Sequence, residues 1–235
     1  MRTSATDAPV TADAKLPPDA KVFMDAKVFE DAKVFEDARP DAKVFMDACV
    51  VTQQQLLANP TFDLMPVETG WTQTETPNKS ASIVTNQLPS DQGFPPQSGL
   101  YYAWLGGFIA SHAGQTYVDQ LEQNVAIPAN TVALALTGYY IVNTGELSGP
   151  PVFDSANLGL TQTDGTPINP SLSLDNTMDH GDETDYTPFT LTFDPSTVST
   201  LSGKTITMRL TSSNDFSNPT NFVFDTLQLT ASYCP

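Results

Sequence analysis

Basic residues are nearly missing from most of this chain. Seven of its ten Lys and Arg lie before Cys49, so residues 50–235 hold only Lys79, Lys204 and Arg209 against 17 of the 27 acidic residues. Three scattered cations cannot make the basic stripe that a phosphate backbone requires, which excludes nucleic-acid binding. Long apolar runs are lacking as well. None approaches the roughly 20 residues of a membrane span, and the opening from Met1 to Asp7 has no apolar signal-peptide core. Histidine occurs only at His112 and His180, with no His-Glu-x-x-His and no close cysteine pair, so a standard zinc site has no ligands. There is no Gly-x-Ser-x-Gly elbow for a nucleophilic hydrolase. Ser202-Gly203-Lys204-Thr205 copies only the tail of a phosphate loop, with Val198 where its first glycine belongs. Paired carboxylates acting on a glycosidic bond stay open, because geometry alone identifies them. The balance is against an enzyme.

What is present begins with a repeat. Asp-Ala-Lys-Val-Phe, followed by Met or Glu, recurs from Asp19 to Met46 and is broken once by Asp37-Ala38-Arg39-Pro40. A helix turns by about 600° over six residues, so the pairs Val22-Phe23, Val28-Phe29 and Val34-Phe35 point three ways and form no stripe. A strand would put the valines on one face and the phenylalanines on the other, leaving neither face dry. A hexapeptide β-helix needs several coils to bury a core, and the repeat spans barely more than one. With Asp and Lys alternating and prolines at 9, 17, 18 and 40, residues 1–48 are expected to be a disordered tether with a span on the order of 40 Å. Residues 49–235 then form one strongly acidic domain. Its charge suits a soluble monomer and leaves metal cations and neutral polar ligands open.

The two cysteines bracket that domain, Cys49 at its start and Cys234 one residue from its end. In a sandwich whose first and last strands run side by side, this placement suits a disulfide and, with it, an oxidising, extracytoplasmic address, the export signal lying outside the given chain. Two unpaired buried thiols are the alternative. A lipid-attachment role for Cys49 is disfavoured, because no apolar segment precedes it.

From Cys49 onward short β-rich runs alternate with turn residues, and no helical period stands out. Strands are expected at 82–85, 100–108, 120–127, 132–142, 158–163, 189–193, 205–211 and 221–233, with turns at Asn143-Thr144-Gly145, Asp164-Gly165 and Asn169-Pro170. Ile206, Met208 and Leu210 share one face of their strand, as do Phe189, Leu191 and Phe193. The last strand changes phase: Phe222 and Phe224 hold one parity, Leu227 and Leu229 the other, which requires a bulge near Asp225-Thr226. The fold class is therefore all-β.

Asn59-Pro60-Thr61-Phe62-Asp63 followed by Gly70-Trp71, then Tyr102-Ala103-Trp104-Leu105-Gly106-Gly107, the Leu121 to Pro128 segment, and Phe222-Val223-Phe224-Asp225-Thr226-Leu227 come in the order of signatures in galactose-binding-like jelly-roll domains, the fold of many carbohydrate-binding modules. The chain resembles that class over most of residues 50–235. Its layout of tether plus jelly roll is similar to surface lipoproteins of Gram-negative bacteria. The resemblance implies a jelly-roll β-sandwich, a glycan ligand, a core role for Trp71, and a structural Ca²⁺ held by Asp63 and Asp225. Two departures stand out: Pro60-Thr61 replaces the usual glycine, and Thr226 replaces a second Asp. A bulge-capping role for Asp225 stands beside the calcium reading. Aromatic residues supply the candidate sugar platform. Of Tyr101 and Tyr102, and of Tyr139 and Tyr140, one of each pair is expected to face outward. The acidic stretch from Asp179 to Asp185 is too loosely spaced for an EF-hand and reads first as a solvated loop, with a weak cation site as the alternative. The resulting expectation is a non-catalytic surface or secreted binding module for glycan. A structural or adhesive envelope protein that binds a surface protein is the second reading, and a secreted hydrolase the third.

Overall fold

The computed structural model describes residues 49–66, 68–76, 83–86, 94–107, 116–146, 151–178, 185–215, 217–218 and 220–235. Residues 1–48, expected as the tether, lie outside these, as do His112, His180 and residues 179–184 of the acidic stretch.

Two antiparallel sheets pack face to face. The first runs in the order β3 (Val84–Thr85), β4 (Tyr102–Gly106), β11 (Thr220–Tyr233), β6 (Thr131–Thr144) and β9 (Thr187–Thr192), with β1 (Thr52–Gln55) also paired to β11. The second runs β2 (Thr72–Thr76), β5 (Tyr117–Ala126), β10 (Thr205–Asn214), β7 (Ser155–Thr161) and β8 (Pro167–Asp175). The layers β4-β11-β6-β9 and β5-β10-β7-β8 are those of a jelly-roll β-sandwich.

Alternation builds the core. Ile206, Met208 and Leu210 point inward from β10, opposite Val125, Gln123 and Leu121 of β5. Phe189 and Phe193 close one side with Leu191 packed beside them. Phe222, Phe224, Leu227 and Leu229 are all buried in this core although their parities differ. The bulge expected from the sequence makes that possible: the β11–β6 register shifts between Asp225 and Gln228, and Thr226 adopts φ 52°. Trp71 is a core residue, as the resemblance implied, with its ring 5.4 Å from that of Phe62.

The disulfide between Cys49 and Cys234 is present, with Cα atoms 5.7 Å apart. Pairing of Thr52 with Tyr233, between the first and last strands, brings the two cysteines together.

Besides β2, which lies outside the expected strands, three features depart from the sequence expectations. Asn169-Pro170 is no turn: it lies inside β8, an edge strand, where a missing N–H breaks no ladder bond on the open side. β1 is a run of threonine and glutamines without alternation and is exposed throughout, so pairing with β11, not an apolar pattern, makes it a strand. A helix, α1 (Pro195–Leu201), links β9 to β10. Seven residues with only Val198 and Leu201 buried are too few to show a period, yet its start was written locally. Asp194 caps the first turn, its Oδ1 accepting from Thr197 N–H at 2.9 Å, and Pro195 follows at the tolerated position.

Candidate functional site

The four candidate tyrosines do not form a platform. Tyr102 is 1% exposed and belongs to a second apolar cluster, with Phe94, Trp104, Ile141 and Val223, on the face of the first sheet turned away from the main core. Tyr186 packs over it and donates its hydroxyl to Pro95 O at 3.0 Å. Burial pushes the Tyr102 phenol well above its usual value. Its neighbour Tyr101 is half-buried against the main core, so one member of the pair turns away from the core as expected, but that face of β4 is covered as well and neither ring is open to solvent as a platform. Tyr140 also packs against the main core, its ring 6.4 Å from that of Phe189. Tyr139 is half-buried, opposite Asp225 on one side and Pro188 on the other.

Asp63 and Asp225 are brought to one place. Both carboxylates grip the segment that leads into β4. Asp63 Oδ1 accepts from the N–H of Leu100 at 2.7 Å and of Tyr101 at 3.2 Å, while Asp225 Oδ2 accepts from Ser98 N–H at 3.0 Å. Gly99, at φ +68°, is required here, because a Cβ at that position would stand 1.8 Å from Asp63 Oδ2. Asp225 is fully buried at the bulge. Burial raises its carboxyl to about 6, against the pull of the Ser98, Thr226 and Gln97 N–H groups, and nearby Asp63 pushes it the same way as burial. The Thr226 hydroxyl lies 2.6 Å from Gln97 Oε1 and 2.9 Å from Ser98 Oγ. Asp225 Oδ1 also accepts from Thr226 N–H, so both Asp225 oxygens and Asp63 Oδ1 are bonded to backbone, the arrangement of a bulge cap. The oxygens of Asp63, Asp225, Gln97, Ser98 and Thr226 are also of the kind that a hard cation such as Ca²⁺ takes. Asn59 has a different job: its Oδ1 accepts from Leu64 N–H at 2.8 Å and its carbonyl from Trp71 Nε1 at 3.0 Å, which holds the turn at φ 50°.

The open surface is elsewhere, on the outward face of the second sheet, where polar side chains stand beside the exposed Val118 and Val152. Two depressions of about 330 and 200 Å³ lie along β7 and share Asn157 and Thr211, so they form one trough. Ser155, Ser173 and Asp175 line one part, and Arg209, Ser171 and Gly159 the other. Asn157 Nδ2 donates to Ser171 Oγ at 3.2 Å and to Ser173 Oγ at 3.1 Å. Arg209 pairs with Glu122 across the β10–β5 ladder. At Gly159 an added Cβ would meet Ser171 Cβ at 2.9 Å, so the glycine keeps the floor low. Planar amide and guanidinium groups, with hydroxyls between them, can exchange hydrogen bonds with the hydroxyls of a neutral polar ligand. The sequence carried a signal for this surface: Thr207, Arg209 and Thr211 alternate with the inward residues of β10.

No protein-family description and no curated protein matches the chain. Solved structures with similarity to it include TmCBM61 in complex with beta-1,4-galactotriose, 16% identical over 75% of this chain and 97% of that one, TM-score 0.46. The K3 cleaved adhesin domain of Lys-gingipain from Porphyromonas gingivalis w83 is 11% identical over 76% of this chain and 99% of that one, TM-score 0.45. CBM28, a carbohydrate-binding module specific for non-crystalline cellulose, is 9% identical over 73% and 94%, TM-score 0.44. At these identities no ligand and no site residue carries across. No helix of the described residues is long and apolar enough to cross a membrane.

Proposed function

We propose that residues 49–235 are a non-catalytic glycan-binding module that works outside the cytoplasm. One observation carries the reading: the trough along β7 is open and sets the Asn157 amide, a row of serine and threonine hydroxyls, Asp175 and the Arg209–Glu122 pair beside the apolar edges of Val118, Val152 and Leu174. Such a surface suits a neutral oligosaccharide, whose hydroxyls both donate and accept. The disulfide supports the extracytoplasmic address, since such bridges persist in oxidising compartments. Under the same reading Asp63 and Asp225 hold a structural Ca²⁺, which keeps the 97–101 segment clamped to the bulge and takes no part in ligand contact.

Affinity electrophoresis of the full chain through soluble β-glucans, xylans and galactans, followed by a glycan array, tests the proposal. Asn157→Ala and Arg209→Ala should abolish retention, and Tyr139→Ala should leave it unchanged. If Tyr139→Ala removes binding while the trough variants keep it, the site lies on the first sheet. If no glycan retains the wild type and a surface protein does, the module is an adhesive one.

A further inference from the structure

The inner face of the second sheet changes character towards one end. Along β10 the inward residues run Ile206, Met208, Leu210 and then Ser212 and Asn214, while along β5 Val125 and Leu121 give way to Asp119 and Tyr117. The register sets Ser212 beside Asp119 and Asn214 beside Tyr117, and Asp154 keeps the parity of Ala156 and Leu158 on the next strand. None of this is exposed: Asp154 is 0% accessible, Asp119 and Asn214 1%, Ser212 2%. The described bases lie away from it. Arg209 faces outward to Glu122, and Lys204 stands just before β10, ~30 Å of strand from Asn214.

Two backbone points tie these side chains together. At Gly106, Asp119 Oδ2 accepts the N–H at 2.8 Å, and Asn214 Oδ1 lies 2.8 Å from where a Cβ would stand, so the glycine leaves room that a side chain would fill. At Thr220, the carbonyl accepts from Asn214 Nδ2 at 3.0 Å, and the hydroxyl, 2.8 Å from Thr144 Oγ1, is near enough to Asp154 to pull its carboxyl down against burial. Donation by Nδ2 fixes the amide, because a flipped Asn214 would set two oxygens against each other. Asp154 Oδ1 accepts from Asp215 N–H at 2.7 Å. Among the described residues no protein donor reaches Asp154 Oδ2, Asn214 Oδ1 or Ser212 Oγ.

We propose that this buried polar layer, built from Asp119, Asp154, Ser212 and Asn214, binds a hard divalent cation, Ca²⁺ by its donors. Carboxylate, amide, hydroxyl and backbone carbonyl oxygens are the set that Ca²⁺ takes, six to eight at a time. A cation also answers the charge, which bridging water would not: two carboxylates buried together are costly without a counter-charge. Burial raises the Asp154 carboxyl, and Asp215 and Glu146 raise it further, so the field at this end is negative. The site is separate from the Asp63–Asp225 pair and stands whether or not that pair binds metal.

The test uses the full chain, stripped with chelator, in an Asp225→Asn background that takes away the Asp63–Asp225 pair. Tb³⁺ is the probe, because the Tyr117 hydroxyl, bonded to Gly107 O beside the layer, places a sensitising ring there. Tyrosine-excited Tb³⁺ emission should appear and be displaced by Ca²⁺. Asp154→Asn should weaken Tb³⁺ at least tenfold, and Asn214→Asp, which adds a carboxylate, should tighten Ca²⁺ severalfold. Equal Tb³⁺ binding with and without Asp154→Asn overturns the proposal. Where Asp154→Asn fails to fold, Asn214→Asp decides: the melting temperature of that variant must respond to Ca²⁺ more steeply than wild type, and an equal loss in Ca²⁺ and chelator means a dry polar layer.

Discussion

The outward faces of the two sheets have opposite fates. That of the first sheet carries Tyr102, Trp104, Ile141 and Val223 and is roofed by Phe94 and Tyr186 into a second small core. That of the second carries Asn157, Arg209, Thr211, Ser171 and Ser173 and stays open. Aromatic density therefore marks where this sandwich is stabilised, and its flat polar face marks where a ligand can reach. An aromatic pair in a strand points to a platform only if one face of that strand is free. On β4 neither is.

The largest effect that would break this contrast is on the covered face. Trp104 is 1% exposed and donates Nε1–H to Asn221 Oδ1 at 2.8 Å. Trp104→Ala should cost about 3–5 kcal/mol in chemical denaturation, through lost burial and the cavity left behind. A loss below about 1 kcal/mol would mean that the second cluster is not a core at all.

Next in size is the clamp that holds the roof. Ca²⁺ at a hundredfold its Kd stabilises by about 2.7 kcal/mol, so chelation should lower Tm by about 5–10 °C in a domain of this length. Asp225→Asn should remove the part of that response that comes from this clamp, leaving only what the inner polar layer contributes, and Asp164→Asn, on an exposed turn, should remove none of it. In chelator, pH reports on the same group. The folded Asp225 carboxyl titrates at about 6 and the unfolded one near 3.9, so the folded state holds this proton more tightly. The stabilisation is full below about pH 4 and is lost as pH rises through 6, on the order of 3 kcal/mol in all. Asp225→Asn should flatten that part of the slope, and added Ca²⁺ should too, by favouring the carboxylate. An unchanged profile in the variant would assign the pH dependence to Asp154 or other acids.

How far the chain spoke for itself follows from these same residues. The parity change across Asp225-Thr226 announced the bulge, and the bulge explains why an aspartate is buried there. Cysteines at the two ends of the domain announced that its first and last strands meet. The covering of Tyr102 was not legible, because the roof, from Phe94 through Gly99, has no period of its own and is held by distant carboxylates. The inner polar layer was hidden for a related reason. Tyr117-Val118-Asp119-Gln120-Leu121 alternates like any strand, and only the register shows that Asp119 faces Ser212 instead of solvent. β8 was missed because Pro170 reads as a break unless the strand is known to lie at an edge.

The smallest expected effect sharpens the contrast most. Asn157→Ala removes two hydroxyl contacts on an open surface, and those hydroxyls turn to water instead. Its stability cost should fall within about 0.5 kcal/mol, as for surface substitutions away from caps and cores. Arg209→Ala should cost little more, since its half-buried pair with Glu122 lies on the solvent face of the sheet, where ion pairs are worth about 0–1 kcal/mol. Denaturation and glycan retention measured on the same preparations then separate the faces: covered-face variants lose stability first and binding only as the fold fails, whereas trough variants lose binding with the denaturation midpoint unmoved. A trough variant that lost more than about 2 kcal/mol would make Asn157 a structural residue, and the polar face would be a ladder of side chains bracing β7 to β8 with no ligand to receive.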